Sequence, residues 1–155
     1  MGTVMFYHLT RSTAADMLAV NAPRALAQGW RVMVRGTDEA ALDRLDSELW
    51  LAGGDEGFLP HGREAGPLDA DQPVLLGRGA GTNEARVLAL IDGATSTDAE
   101  TRVMERVWVL FDGGDPARVQ AAREQWKAMT AAGHATQYWS DASGRWEKKA
   151  ESAAK

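Results

Sequence analysis

The run Arg86–Ile91, RVLALI, is apolar at consecutive positions from Val87 and stops at Asp92-Gly93. A short run without alternation, closed by a turn, reads as a strand buried on both faces. Such a strand needs helices above and below it, as in parallel sheets. Other β-rich runs recur along the chain: Thr3–Leu9 (TVMFYHL), Trp30–Arg35 (WRVMVR), Pro73–Leu76 (PVLL) and Ala135–Ser140 (ATQYWS). Val103–Phe111 fits either strand or helix, and its β-branched and aromatic content favours a strand over Arg106–Phe111.

Helical patterns fill the gaps. Ser12 or Thr13 can cap a helix from Ala14 to Gln28, closed by Gly29, with Pro23 either kinking it or splitting it in two. Thr37 or Asp38 starts a second helix, in which Leu42, Leu45 and Leu49 form the buried stripe. Asp38, Glu39, Asp43, Asp46 and Glu48 make its other side a solvated acidic face. Trp50 lies off the leucine stripe and is expected to be only partly covered. Asp115 can cap a third helix with Pro116 at its first position, and Gly133 ends it. Strands alternating with helices imply one α/β domain with a mostly parallel sheet covered on both faces. Residues 52–72 read as a long loop, Thr95–Thr101 as a polar connection, and Asp141–Gly144 as a hairpin turn returning through Arg145–Glu147. The charged, alanine-rich end reads as a frayed tail, so the domain is expected over residues 1–149, with 150–155 disordered.

The chain has 155 residues, enough for one sizeable core, and a net charge of −5, which argues against broad binding to a nucleic-acid backbone. It contains no cysteine, which excludes disulfides and thiolate metal sites. The apolar runs are too short to span a bilayer, and the start MGTVMFYHLTRS lacks the order of a signal peptide, so the cytoplasm is the expected compartment.

Chemistry-bearing motifs are sparse. Gly77–Gly81 could expose backbone N–H groups to a phosphate, with Asp92 beside a strand end as a possible acid. The loop nonetheless leads into a strand rather than a helix, and lacks the Lys-Ser/Thr of a phosphate loop. A nucleotide-binding enzyme is the alternative this motif keeps open. His8, His61 and His134 have no metal-ligand spacing, and His61 is expected to make a structural hydrogen bond. No serine lies in a hydrolase elbow. The third helix is different: Val119, Ala122, Trp126, Met129 and Thr130 share one side, with Arg123 and Lys127 on its shoulder. An aromatic beside two cations has the composition of an anchor for an acidic peptide, although a solvated flank with neighbouring carboxylates is the commoner arrangement. Trp50 and Phe58 are further aromatics left incompletely covered.

Read in order, FYHLTRS (Phe6–Ser12), WRVMVR (Trp30–Arg35), LDSELW (Leu45–Trp50), FLPHG (Phe58–Gly62), PVLLG (Pro73–Gly77), LFDGGD (Leu110–Asp115), AREQWKAMTAAGH (Ala122–His134) and YW…GRWEKK (Tyr138–Lys149) resemble the chi subunit family of bacterial DNA polymerase III. The resemblance covers about Met5 to Lys149. It implies a doubly wound α/β domain without catalysis of its own, in the clamp-loader part of a DNA-directed DNA polymerase. It also implies pairing with the small psi subunit, and a grip on the acidic, phenylalanine-ended tail of single-stranded DNA-binding protein, so that DNA is reached only indirectly. No cofactor or metal is implied. Carried over by residue, the tail site falls on Trp50, Phe58, Arg123, Trp126 and Lys127. A position often basic in the family is Val119 here, and the adjacent Arg118 is the candidate to replace it.

Overall fold

β1 (Thr3–Leu9) alternates its burial, with Val4 and Phe6 facing one side of the sheet and Tyr7 and Leu9 the other. Period-two alternation with both faces apolar places it in the middle of a covered sheet. The computed structural model describes residues 2–52 and 59–154. Its other strands are β2 (Val32–Arg35), β3 (Gly62–Arg63), β4 (Val74–Gly77), β5 (Val87–Leu90), β6 (Arg106–Asp112), β7 (Ala135–Ser140) and β8 (Glu147–Ser152). They form one sheet in the order β3-β4-β2-β5-β6-β1-β7-β8, parallel throughout except for β8 against β7. β5 is buried at all four positions, as its unbroken apolar run requires.

Helices α1 (Ala14–Ala27) and α2 (Glu39–Ala52) cover one face, packing Met17, Leu18, Leu42, Leu45 and Leu49 on Tyr7, Val34 and Leu110. α4 (Pro116–Ala131) covers the other, placing Ala122 and Met129 over Val4, Phe6 and Val109. α3 (Asp98–Val103) is tied beside it by His134 Nε2 and Asp98 Oδ1, 3.0 Å apart. From β1 the chain steps out to β2 and β3, returns through β4, β5 and β6 to the side of β1, and then crosses β1 to β7 and β8, a doubly wound arrangement with helices on both faces. Where the connections after β1 and β6 diverge, a cleft of about 530 Å³ opens at their carboxyl ends.

The expected elements stand, with informative differences. α1 runs unbroken through Pro23, held at its start by a reciprocal Thr13–Asp16 capping box. The polar connection at 95–101 holds the start of α3, whose own capping box pairs Thr97 with Glu100. The long loop contains β3 and a 3₁₀ turn at Asp69–Asp71. Residues 150–152, expected in a disordered tail, belong to β8, where Ala150 pairs with Tyr138 and Ser152 with Thr136. Glu147, Lys148, Lys149 and Glu151 mark β8 as an edge strand, a position that lysine and glutamate protect from further pairing.

Candidate peptide-docking surface

α4 is set by its ends. Asp115 Oδ1 accepts the N–H of Ala117, Pro116 opens the first turn, and Gly133 leaves the helix at φ +90°. This phase buries Ala122 and Met129 and turns Arg123 and Lys127 outward, both exposed. Trp126 lies between them in sequence and is half-buried. Its ring stands edge-on to Phe6 (5.5 Å between centroids) and to Tyr138 (6.0 Å). Parallel pairing of β1 with β7 puts Phe6 directly beside Tyr138, which is why these rings meet.

Tyr138 completes the group. Its hydroxyl lies 2.7 Å from His8 Nδ1, and Phe111 packs 6.0 Å from its ring. His8 is held close against Gly113, where a Cβ would come within 2.2 Å of the imidazole. Burial pushes the Tyr138 hydroxyl above its ordinary pKa, and the nearby positive charge of Arg123 partly offsets the rise. Among the described residues neither Arg123 nor Lys127 forms an ion pair. Glu124 is bonded to Gln120 at 3.4 Å, and Glu105 is paired with Arg86 at 2.9 Å. The neutralised flank that the sequence allowed is therefore absent from the described residues. Arg123 stands near Tyr138 with Lys127 one turn on along the exposed side of α4, an arrangement that can pair carboxylates while an apolar group rests on the half-buried rings.

The other expected site residues lie elsewhere. Trp50 is 52% exposed at the end of α2, on the opposite face of the sheet, with its ring 4.6 Å from that of His61. Five strand spacings separate β3 from β1, about 24 Å across the sheet. Arg118 faces the cleft at the strand ends, its guanidinium against Gly93, and does not join Arg123. Val119 packs on the α4-side core, so the position where the family often has a base is spent on packing here. Phe58 lies outside the described residues. Tyr138 and His8 escaped the sequence reading because only strand register brings them to Trp126.

The loops that might have held a phosphate are taken by the protein's own carboxylates. Glu64 lies on the Gly77–Gly81 loop, accepting the N–H of Arg78 at 3.2 Å, and a Cβ at Gly77 would come within 2.0 Å of its carboxyl carbon. After β1, Asp141 accepts backbone N–H groups of Thr10 (2.7 Å), Arg11 (3.2 Å) and Ser12 (2.8 Å). His61 is buried, with Nδ1 2.6 Å from the Leu59 carbonyl and Nε2 3.1 Å from that of Asp46, the structural role expected of it. Among the described residues no group of three or more acidic, histidine or cysteine side chains could hold a metal ion.

The model of the DNA polymerase III chi subunit family, HolC, matches residues 1–137. The chain belongs to the DNA polymerase III chi subunit family. It is accordingly an accessory subunit of that polymerase. The matched span runs from β1 into β7, takes in all of α4 with Phe6, His8 and Phe111, and ends one residue before Tyr138. No curated protein matches the chain closely. No helix of the described residues is long and apolar enough to cross a membrane.

Proposed function

We propose that this chi-family chain is a non-catalytic adaptor. It links the clamp-loader part of the polymerase to single-stranded DNA-binding protein by gripping that protein's acidic C-terminal tail. The observation that carries this is the pair Arg123 and Lys127, exposed and without ion pairs among the described residues, standing beside Trp126 and Tyr138. The tail's carboxylates would pair with the two cations while its terminal phenylalanine rests on the rings. One short peptide cannot span both faces of the sheet, so Trp50 falls outside this grip. An adaptor of this kind reaches DNA only through its partner, in keeping with a net charge of −5.

Two observations weigh against a nucleotide-binding enzyme: Glu64 covers the glycine loop, and Asp141 occupies the backbone donors after β1. A pull-down tests the adaptor directly. Intact single-stranded DNA-binding protein should retain the chain, and the same protein lacking its last few residues should not; equal retention by both would end the proposal.

A further inference from the structure

The α1 side of the sheet carries a second aromatic surface that the adaptor reading leaves unused. Beyond α1, strands β1, β7 and β8 have no helix over them among the described residues. Between α1 and these strands runs a cleft of about 490 Å³. Four of the chain's six tryptophans line it: Trp30, Trp108, Trp139 and Trp146. Tyr7 forms part of its floor, with Trp146 edge-on at 5.3 Å. Along α1 the lining extends from Asp16 to Gln28, a helix length of about 18 Å. Val20, 51% exposed, stands on its rim.

The polar groups at one end decide what the cleft accepts. Arg106 lies with its guanidinium carbon 5.3 Å over the Trp30 ring and donates to the Glu105 carbonyl at 2.7 Å. Arg24, in the last turn of α1, lines the same end. Neither arginine is ion-paired with a carboxylate among the described residues. The Tyr7 hydroxyl, 7% exposed as a residue, has a thioether as its hydrogen-bond partner, Met5 Sδ at 3.6 Å. A wholly apolar occupant would desolvate two guanidinium groups that have no ion-pair partner among the described residues, at considerable cost. A nucleic-acid strand would want a basic track, and two arginines at one end of a cleft that Asp16 also lines, in an acidic protein, do not provide one. A chain in extended form covers about 3.3 Å per residue, so five or six residues fill the length.

We infer that this indole-lined cleft is a second docking site, for an internal acidic peptide segment with an apolar or aromatic anchor, on the sheet face opposite α4. The anchor rests among Trp108, Trp139 and Trp146, and the acidic residues pair with Arg24 and Arg106. The segment passes through the cleft, so a free chain end is not required, unlike at the α4 surface. The two sites are independent, and either can stand without the other.

The probe is the capped peptide acetyl-Glu-Asp-Leu-Phe-Glu-Asp-amide, titrated into the full chain and followed by tryptophan fluorescence and indole N–H NMR signals. A saturable change is expected, weakened roughly tenfold or more by Arg24→Glu and by Val20→Glu, unaffected by Arg123→Ala, and absent with a peptide carrying Lys at every acidic position. Arg24 and Val20 are both exposed, and circular dichroism checks that the variants fold. Several results would overturn the inference: no saturable change, binding that survives both α1 variants, or binding lost in Arg123→Ala. The same applies if a short single-stranded oligonucleotide gives the response instead, or if the cleft proves to be covered by a second copy of the chain in solution.

Discussion

Asp141 accepts the backbone N–H of Thr10 at 2.7 Å across 131 residues of sequence, fastening the β7–β8 turn to the loop between β1 and α1. The same carboxylate takes Ser12 and Arg11, so three donors that could have met a phosphate are satisfied internally. Burial pushes the Asp141 carboxyl up, but the hydrogen bonds from Thr10, Ser12 and Arg11 outweigh it and hold the carboxyl below its ordinary value. Asp141→Ala leaves those donors unpaired and should cost about 3 kcal/mol in denaturant unfolding. A folded-state pKa below the unfolded one stabilises the fold above the unfolded value, near 3.8, and the contribution disappears as pH falls through the folded value. Asp141→Asn should flatten the loss of stability below that pH; an unchanged acid profile would count against this role.

Arg35 and Glu100 form the second acid-sensitive tie, joining the end of β2 to α3. The Arg35 hydrogen bond, working against burial and helped by Thr97, holds Glu100 down to about 2 from 4.5. Its contribution is complete above pH 4.5 and is lost as pH falls toward 2. Glu100 is partly exposed, so Glu100→Gln should cost about 1 kcal/mol near neutrality and nothing below the window. Melting curves of both proteins at pH 7 and below pH 2 measure the difference.

At the α4 surface, Arg123→Ala is the clean probe, because the side chain is exposed and packs no core. Affinity for a peptide of the acidic, phenylalanine-ended type should fall roughly tenfold or more in calorimetry, with the melting temperature unchanged. Lys127→Ala should have a smaller effect, and added salt should weaken wild-type binding by screening exposed charges. Trp126→Ala should also lose affinity, but it removes a ring packed on Phe6 and Tyr138, so a stability loss of about 2 kcal/mol will accompany it. Salt-independent binding, or full affinity in Arg123→Ala, would locate the peptide elsewhere.

Trp50→Ala supplies the complementary result. The indole is half exposed and lies on the α2 side of the sheet, about 24 Å across it from the α4 wall. Affinity for the same peptide should therefore stay within about twofold of wild type. A large loss in calorimetry would mean that the two faces act together.

The run Arg86–Ile91 disclosed the sheet because an unbroken apolar strand has few other places to lie. Asp115, Pro116 and Gly133 likewise announced α4, since caps act through neighbouring residues. What stayed hidden depends on contacts between distant residues. Tyr138 reaches Trp126 only through the β1–β7 register, and Asp141 finds its donors only once the β7–β8 turn folds over the first loop. Helix phase showed that Trp50 and Trp126 were both incompletely covered, but not that they lie on opposite faces. That depends on which way each crossover winds, which local pattern does not encode.

The last strand offers the most direct check on this distinction. Composition made residues after Lys149 look dispensable, yet β8 pairs Lys148 with Trp139, Ala150 with Tyr138 and Ser152 with Thr136. Its side chains are mostly exposed, so its value lies in covering the edge of β7 rather than in adding core. Removing residues 147–155 while keeping Trp146 should cost about 1–2 kcal/mol, a few backbone hydrogen bonds at ordinary net value. It should also leave β7, with its aromatic residues, as a bare edge able to pair with another molecule. Denaturant unfolding measures the first effect, and sedimentation at increasing concentration measures the second. A truncated chain that stays monomeric and fully stable would show that the end of the sequence is the frayed tail its composition suggested.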